Sequence, residues 1–456
     1  MEEKKYLKWY NKVGYGSGDL AANCTYAILT SFVLIYLTDT VGLDSGIVGV
    51  LIMFSKFFDG FTDVIFGSLI DRTHTKMGKA RPWMLWSQFG VSILLVATFC
   101  IPLRMAAGAQ YAWFFIAYTA LNAVFYTMNN IAYASLTSLI TKNVNERVQM
   151  GSIRFMFALV TNIAVSSLTV SLVAGLGGGA TGWRNVALIY AIVALVVNTI
   201  AVLSVKEIDL EAEGQEESEK APEYEKVPFL ESFKLLFANK YFIIIAVWYI
   251  LMYIQTGITG VGIYWCTYVL HNASMLGMFS MVSMVPMVIG LALTPAIIKK
   301  AGSMYKVNFG GYAIALVFRI LYILAGLKLN IPLMMVFAAI AGLCTSPTTG
   351  DINALISETA EYTVRTKGKH IEGTMFSCSS VGIKVGGGLG SAICGLLLKA
   401  GGYIANAEVQ PQSCVNMLNF MYLWIPLILG AVSTWLLYLL KVEKANRDWD
   451  KEHGVQ

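Results

Sequence analysis

Lys56, Asp59 and Asp63 stand three and four residues apart inside an otherwise apolar stretch, MFSKFFDGFTDVIFGSLID. On a helix those offsets put all three side chains on one face. The flanking residues 48–58 and 64–70 are mostly apolar, as a segment lying in a bilayer would be. At that depth two carboxylates and an ammonium are costly unless they pair, bind an ion or line a wet cavity. The chemistry open to them is capture and release of a small cation. The plainer alternative is a buried ion-pair network that only holds helices together.

Other polar groups fall into stripes. Asp19, Asn23, Tyr26 and Thr30 follow helical spacing in the first apolar segment. Tyr126, Asn130, Tyr133 and Thr137 do so in the fourth, with Thr127 beside them. Arg154 enters the fifth, Lys384 sits within the eleventh, and Asp351 follows SPTTG, a run expected to disrupt the tenth helix. A single Asn, Tyr or Thr in such a place is ordinarily an interhelical hydrogen bond. Whole stripes predict a polar cavity inside a helix bundle, where a transported solute binds. Arg319 is expected instead to snorkel toward the outer interface.

The elements that must position these groups are membrane helices. The 456 residues are 56% hydrophobic and 13% charged, with a mean hydropathy of +0.62; soluble domains carry about 25% charged residues. Apolar segments predict twelve spans, near 14–39, 44–70, 82–105, 110–140, 150–175, 185–206, 240–269, 275–298, 305–327, 331–357, 371–400 and 414–441. The expected fold is therefore an all-α membrane protein of twelve transmembrane helices. Residues 1–206 form one six-helix half, 207–228 an acidic linker, and 229–456 the second half with a short tail. The segment FLESFKLLFANK is expected to lie on the membrane surface. Basic residues gather at both termini and in alternate loops, which places both termini in the cytoplasm. In the eleventh span, Gly382, Gly386 and Gly390, and Gly387, Ser391 and Gly395, recur every four residues, a spacing for close helix packing.

Several function classes are excluded. The net charge of +5 is small and carried by loops, so it gives no reason to expect nucleic acid as a partner. The four histidines lie in or near predicted loops or the tail, and no GxSxG, HExxH or phosphate loop appears, so the chain is not expected to be an enzyme. The seven cysteines are scattered, with no CxxC.

Several motifs in order resemble a known family. Gly67, Asp71, Arg72, Gly78, Lys79, Arg81 and Pro82 resemble the second-loop signature of the major facilitator superfamily. YLTDTVGL, FDGFTDVIFGSLID, NNIAYASL, ERVQMGSIR, ETAEY and IEG resemble the glycoside–pentoside–hexuronide:cation symporters, the family of melibiose permease. The resemblance implies a secondary transporter moving a glycoside into the cell with Na⁺ or H⁺. Asp59 and Asp63 then form the cation site, with Thr62 and Thr127 as oxygen ligands and Lys56 and Lys384 as nearby counter-charges. Hard cations such as Na⁺ prefer such oxygens. Asp19, Asn23, Tyr26, Tyr126, Asn130, Tyr133, Arg154 and Lys384 are the expected substrate residues. Asp71, Arg72, Arg81, His370 and Glu372 join Lys56 in coupling and gating, with His370 where the family usually has arginine. The family's sugar-binding aspartates are read as falling at Asn23 and Asn130, which removes two charged acceptors. LAANCTYAI, NNIAY and GGYIAN resemble the bacterial glucuronide carriers, so the expected cargo is a glucuronide or related hexuronide, its carboxylate clamped by Arg154. A neutral pentoside or disaccharide, another cargo such as a lipid headgroup, and a non-transporting membrane sensor remain alternatives. No cofactor is expected beyond the coupling ion, and the expected setting is a bacterial plasma membrane, as a monomer.

Overall fold

A computed structural model describes residues 5–141, 143–208, 229–369 and 371–454. Most of the acidic linker therefore lies outside the described residues. Among those described, regular structure is helical, and pairing of the β type is limited to one isolated bridge, Thr75 with Gly78. Among the described residues a helical run falls at each of the expected spans, with ends that differ by several residues. Nine described helices are long and apolar enough to cross a membrane, beginning with Trp9–Val41. The second, third and fourth places are held by Ser45–Asp71, Arg81–Thr98 and residues 107–139. The amphipathic segment is a separate helix, Phe229–Ala238.

Helix ends follow local chemistry. The fifth run starts at Val144, earlier than predicted, because Asn143 caps it by accepting from the Glu146 N–H at 3.1 Å. The tenth, Ile331–Lys367, overshoots its predicted end. It continues through polar residues until Gly368, whose φ of +65° closes it. SPTTG does not disrupt it: the helix runs through Pro347. A π-helical turn, Ala120–Tyr126, interrupts the fourth run, and another, Tyr36–Val41, ends the first.

Contacts divide the chain into two units. One comprises Met1–Lys220, Thr259–Met278 and Ser391–Val415; the other comprises Ala221–Ile258, Phe279–Gly390 and Asn416–Gln456. Two short segments of the later sequence thus pack with the earlier one. In the first unit the first run packs on the fifth and sixth, and the third on the sixth. Its core gathers Tyr15, Met84, Tyr133, Leu136 and Val202. In the second unit the ninth run packs on the tenth and twelfth, around Tyr241, Trp248, Leu355 and Leu436. The glycine spacing of the eleventh run does what it predicts: a Cβ on Gly386 would come within 2.5 Å of the Ile250 carbonyl.

Carboxylates clasp exposed helix starts. Glu207, just past the sixth run, accepts from the backbone N–H groups of Lys79, Ala80 and Arg81 at 2.6, 2.9 and 2.9 Å. Glu443, just past the twelfth, accepts from the N–H groups of Met304 and Tyr305 at 3.0 and 2.9 Å and from the Ser303 hydroxyl. Each carboxylate satisfies donors that a helix start leaves open and meets the positive end of the helix dipole. Glu207→Ala and Glu443→Ala should each cost about 1–2 kcal/mol, seen as a lower midpoint of thermal unfolding in detergent. Glu146 acts similarly on the chain start, accepting from the N–H groups of Tyr6 and Leu7 at 3.2 and 3.1 Å and pairing with Lys12 at 3.2 Å. Burial works to raise its carboxyl, but hydrogen bonds from Thr141, Leu7, Tyr6 and Lys12 prevail and hold it below the ordinary glutamate range. That stabilisation is present above about pH 4.3 and is lost as pH falls through the folded value. Amide exchange at Tyr6 and Leu7 should therefore lose protection on acidification, and Glu146→Gln should flatten that dependence.

Candidate substrate and cation site

Two polar clusters share the fourth run. The first surrounds Asp19. Arg154 Nε donates to Asp19 Oδ2 at 2.5 Å. The Tyr133 hydroxyl donates to the same oxygen at 3.2 Å, and the guanidinium lies 4.0 Å from the centre of the Tyr133 ring. Tyr15 completes the cluster, its hydroxyl bonding the Tyr133 carbonyl at 2.7 Å. One and two helical turns further along the first run the stripe goes on: Asn23 accepts from Asn162 at 2.9 Å, and Tyr26 stacks with Tyr126, ring centres 6.5 Å apart. Asn130 is exposed. It lies on the face that Tyr126 and Tyr133 turn toward the first run, which directs it to the polar side.

The second cluster is built on Asp59. The second run is a continuous helix, so Lys56, Asp59 and Asp63 share a face as their spacing predicts. Thr127, from the fourth run, meets Asp59 Oδ1 through its hydroxyl. The same hydroxyl lies 2.9 Å from the Asn122 carbonyl, within the π-helical turn. The one hydroxyl hydrogen is shared between the two acceptors, a three-centre arrangement. Turns of π type recur at functional sites. Thr62 turns its hydroxyl back to the Asp59 carbonyl at 3.0 Å, leaving its lone pairs as the available ligand. Lys56 is half-buried, 6.0 Å from the centre of the Tyr26 ring. Tyr126, stacked with Tyr26 and next in sequence to Thr127, stands between the two clusters.

Residues 14–444 match the family model for MFS/sugar transport proteins. The chain belongs to that family, the sugar transporters of the major facilitator superfamily. Its members are transporters, not enzymes. An isoprimeverose transporter of Lactiplantibacillus pentosus is 28% identical, over 99% of this chain and 94% of the relative. A glucuronide carrier protein homologue of Escherichia coli is 25% identical, over 89% of this chain and 87% of the relative. A bacterial homologue of the human lysosomal transporter Spinster, solved inward-facing and unoccupied, superposes with a TM-score of 0.69 at 16% identity, covering 98% of each chain. That likeness shows the fold alone.

Several residues fall elsewhere than the sequence suggested. Arg154 is already paired with Asp19, so it is not a lone clamp for an anionic sugar. Asp19, expected as a substrate residue, is the carboxylate of this cluster. Arg319 does not snorkel outward: it donates to the Pro426 carbonyl on the twelfth run. Arg81 bonds the Val202 carbonyl at 3.0 Å and that of Met77 at 3.3 Å, tying the second loop to the sixth helix. Arg72 is exposed. Lys384 belongs to the second contact unit. Asp351, also in that unit, is buried and accepts from Asn308 at 2.8 and 3.1 Å. His370 and the side chains of Asp71 and Glu372 lie outside the described residues. Tyr15 and Asn162 went unpredicted, although each continues a stripe: Tyr15 lies one turn before Asp19, and Asn162 two turns after Arg154.

Asp19→Asn or Arg154→Gln strands the opposite charge in a half-buried place. Each single change should cost about 1–3 kcal/mol, discounted for their partial exposure. The double variant should recover part of that loss, measurable as non-additive shifts in thermal unfolding midpoint.

Proposed function

We propose that this protein is a cation-coupled symporter that carries a glycoside across the membrane by alternating access. The observation that carries the reading is the fourth run itself. Within seven residues it supplies Thr127 to the Asp59 cluster and Tyr133 to the Asp19 cluster. A cation at one cluster and a sugar at the other therefore bear on one rigid element. If cation binding favours sugar binding, the sugar must tighten the cation by the same factor. The carboxylate and hydroxyl oxygens of Asp59, Asp63, Thr62 and Thr127 suit a monovalent ion, Na⁺ or H⁺.

The cargo follows from the charge of the other cluster. Paired with Asp19, Arg154 contributes no net charge, and the pair offers N–H donors and carboxylate lone pairs to sugar hydroxyls. Tyr26 and Tyr126 add apolar ring faces for a pyranose. This favours a neutral pentoside or disaccharide. A glucuronide, suggested by the carrier homologue from Escherichia coli, would require Arg154 to leave Asp19 for the cargo carboxylate. The chain works as a monomer in a bacterial plasma membrane, its termini in the cytoplasm on the evidence of loop charge.

Uptake into proteoliposomes with Na⁺ and pH gradients imposed separately tests the coupling. Accumulation should follow one of the two, and response to neither would end the symport reading. Asp59→Asn and Asp63→Asn should each abolish uphill accumulation. In a competition panel, neutral glycosides should displace a bound neutral sugar and glucuronides should not. The reverse order would replace the neutral cargo with the anionic one.

A further inference from the structure

At the end of the first run remote from the chain termini, one carboxylate collects donors from two distant parts of the sequence. Asp39 lies in the π-helical turn Tyr36–Val41, which Gly42 closes with a φ of +86°. Its carboxylate accepts from the Tyr268 hydroxyl at 2.5 Å, from Tyr403, and from Thr38 at 2.8 Å. Its backbone carbonyl accepts from the Asn406 amide. Thr38 in turn bonds the Tyr264 hydroxyl at 2.8 Å, and the rings of Tyr264 and Tyr268 pack edge-on against Tyr403. All these residues belong to the first contact unit.

The first and last of these parts of the chain also meet beside this knot. Ser45 donates to the Gly395 carbonyl at 3.1 Å, where a Cβ on Gly395 would meet the Ser45 carbonyl at 2.2 Å. Lys399 pairs with Asp44 at 3.0 Å in a more exposed place. We propose that Asp39, gripped by Tyr268, Tyr403 and Asn406, is the latch that holds the transporter closed on its external side, and that it releases in each transport cycle.

The donor set suits a device that must open as well as close. Every donor to Asp39 is a neutral hydroxyl or amide. Release strands no counter-charge, since water can take the place of each phenol on the carboxylate. An arginine or lysine partner would leave two opposite charges to be hydrated instead of one. Water has a route: a cavity of about 490 Å³ is lined by Asp39, Thr40, Trp183 and Asn406. The latch rests on the alternating-access reading, and its test is chosen to be independent of any sugar.

Cys266 and Cys394 lie on the two later segments and are 0% and 1% exposed. In right-side-out vesicles, a membrane-impermeant maleimide should label both slowly, read by mass spectrometry at each site. Tyr403→Phe, Tyr268→Phe and Asp39→Asn should each raise that labelling about tenfold or more, the effect of losing a hydrogen bond to a charged group. A second arm keeps the test decisive should those variants fold poorly. Asp44→Cys with Lys399→Cys, bridged by a short bis-methanethiosulfonate, should suppress labelling of Cys394 below that of the unmodified protein, and reductant should restore it. Unchanged labelling in folded latch variants, or undiminished labelling in the bridged protein, overturns the latch. Absence of sugar uptake, with labelling as expected, would instead count against the symport reading alone.

Discussion

A charge in hydrocarbon must be matched or hydrated, and this structure is organised around that demand. Each membrane-depth ionic group described above is answered by a group of a particular kind. Asp19 is answered by a guanidinium and a phenol, Asp59 by a hydroxyl, Asp351 by an amide, and Arg319 by a backbone carbonyl. The kind of answer sets the job. Asp351 and Arg319 are held by neighbours that need nothing further. Asp59 is met by a hydroxyl that also reaches the Asn122 carbonyl, which ties the second run to the π-helical turn of the fourth.

The same demand explains why the two clusters lie so near each other. Polar groups are tolerated where they share a wet or mutually bonded region, so they concentrate on the inward faces of the first, second, fourth and fifth runs. Thr127 and Tyr133 stand on one regular helix, Thr127–Leu139, six residues apart, a spacing that points them to different faces. Thr127 therefore reaches the second run while Tyr133 reaches the first.

Much of this was legible in the residues. Hydropathy placed all twelve runs, since bilayer thickness sets a length that apolar stretches reveal directly. Periodicity placed Asp59 with Asp63, and Asp19 with Asn23 and Tyr26, on single faces. Pairing across helices was less legible, because it depends on which faces meet. Arg154 was visible as a cation but not as the partner of Asp19. Arg319 was expected to snorkel, yet it donates to the Pro426 carbonyl. The tenth helix passed through Pro347 where local propensity argued for a break, as membrane helices often do once neighbours support the freed backbone groups. Asp39 was read only as part of a family motif; its partners lie more than 200 residues away.

Glu207 and Glu443 occupy matching positions in the two halves of the sequence, each reaching from beyond a sixth helix to the start of a third. The stretches they hold, Lys79–Ala80–Arg81 and Ser303–Met304–Tyr305, have no residue in common. What they share is a preceding glycine in left-handed backbone, Gly78 at φ +110° and Gly302 at φ +70°. At these two places the halves of the sequence are alike in how a carboxylate meets amide hydrogens rather than in letters. A comparison of the halves by identity would pass over these two places, and a comparison by who satisfies whom would align them.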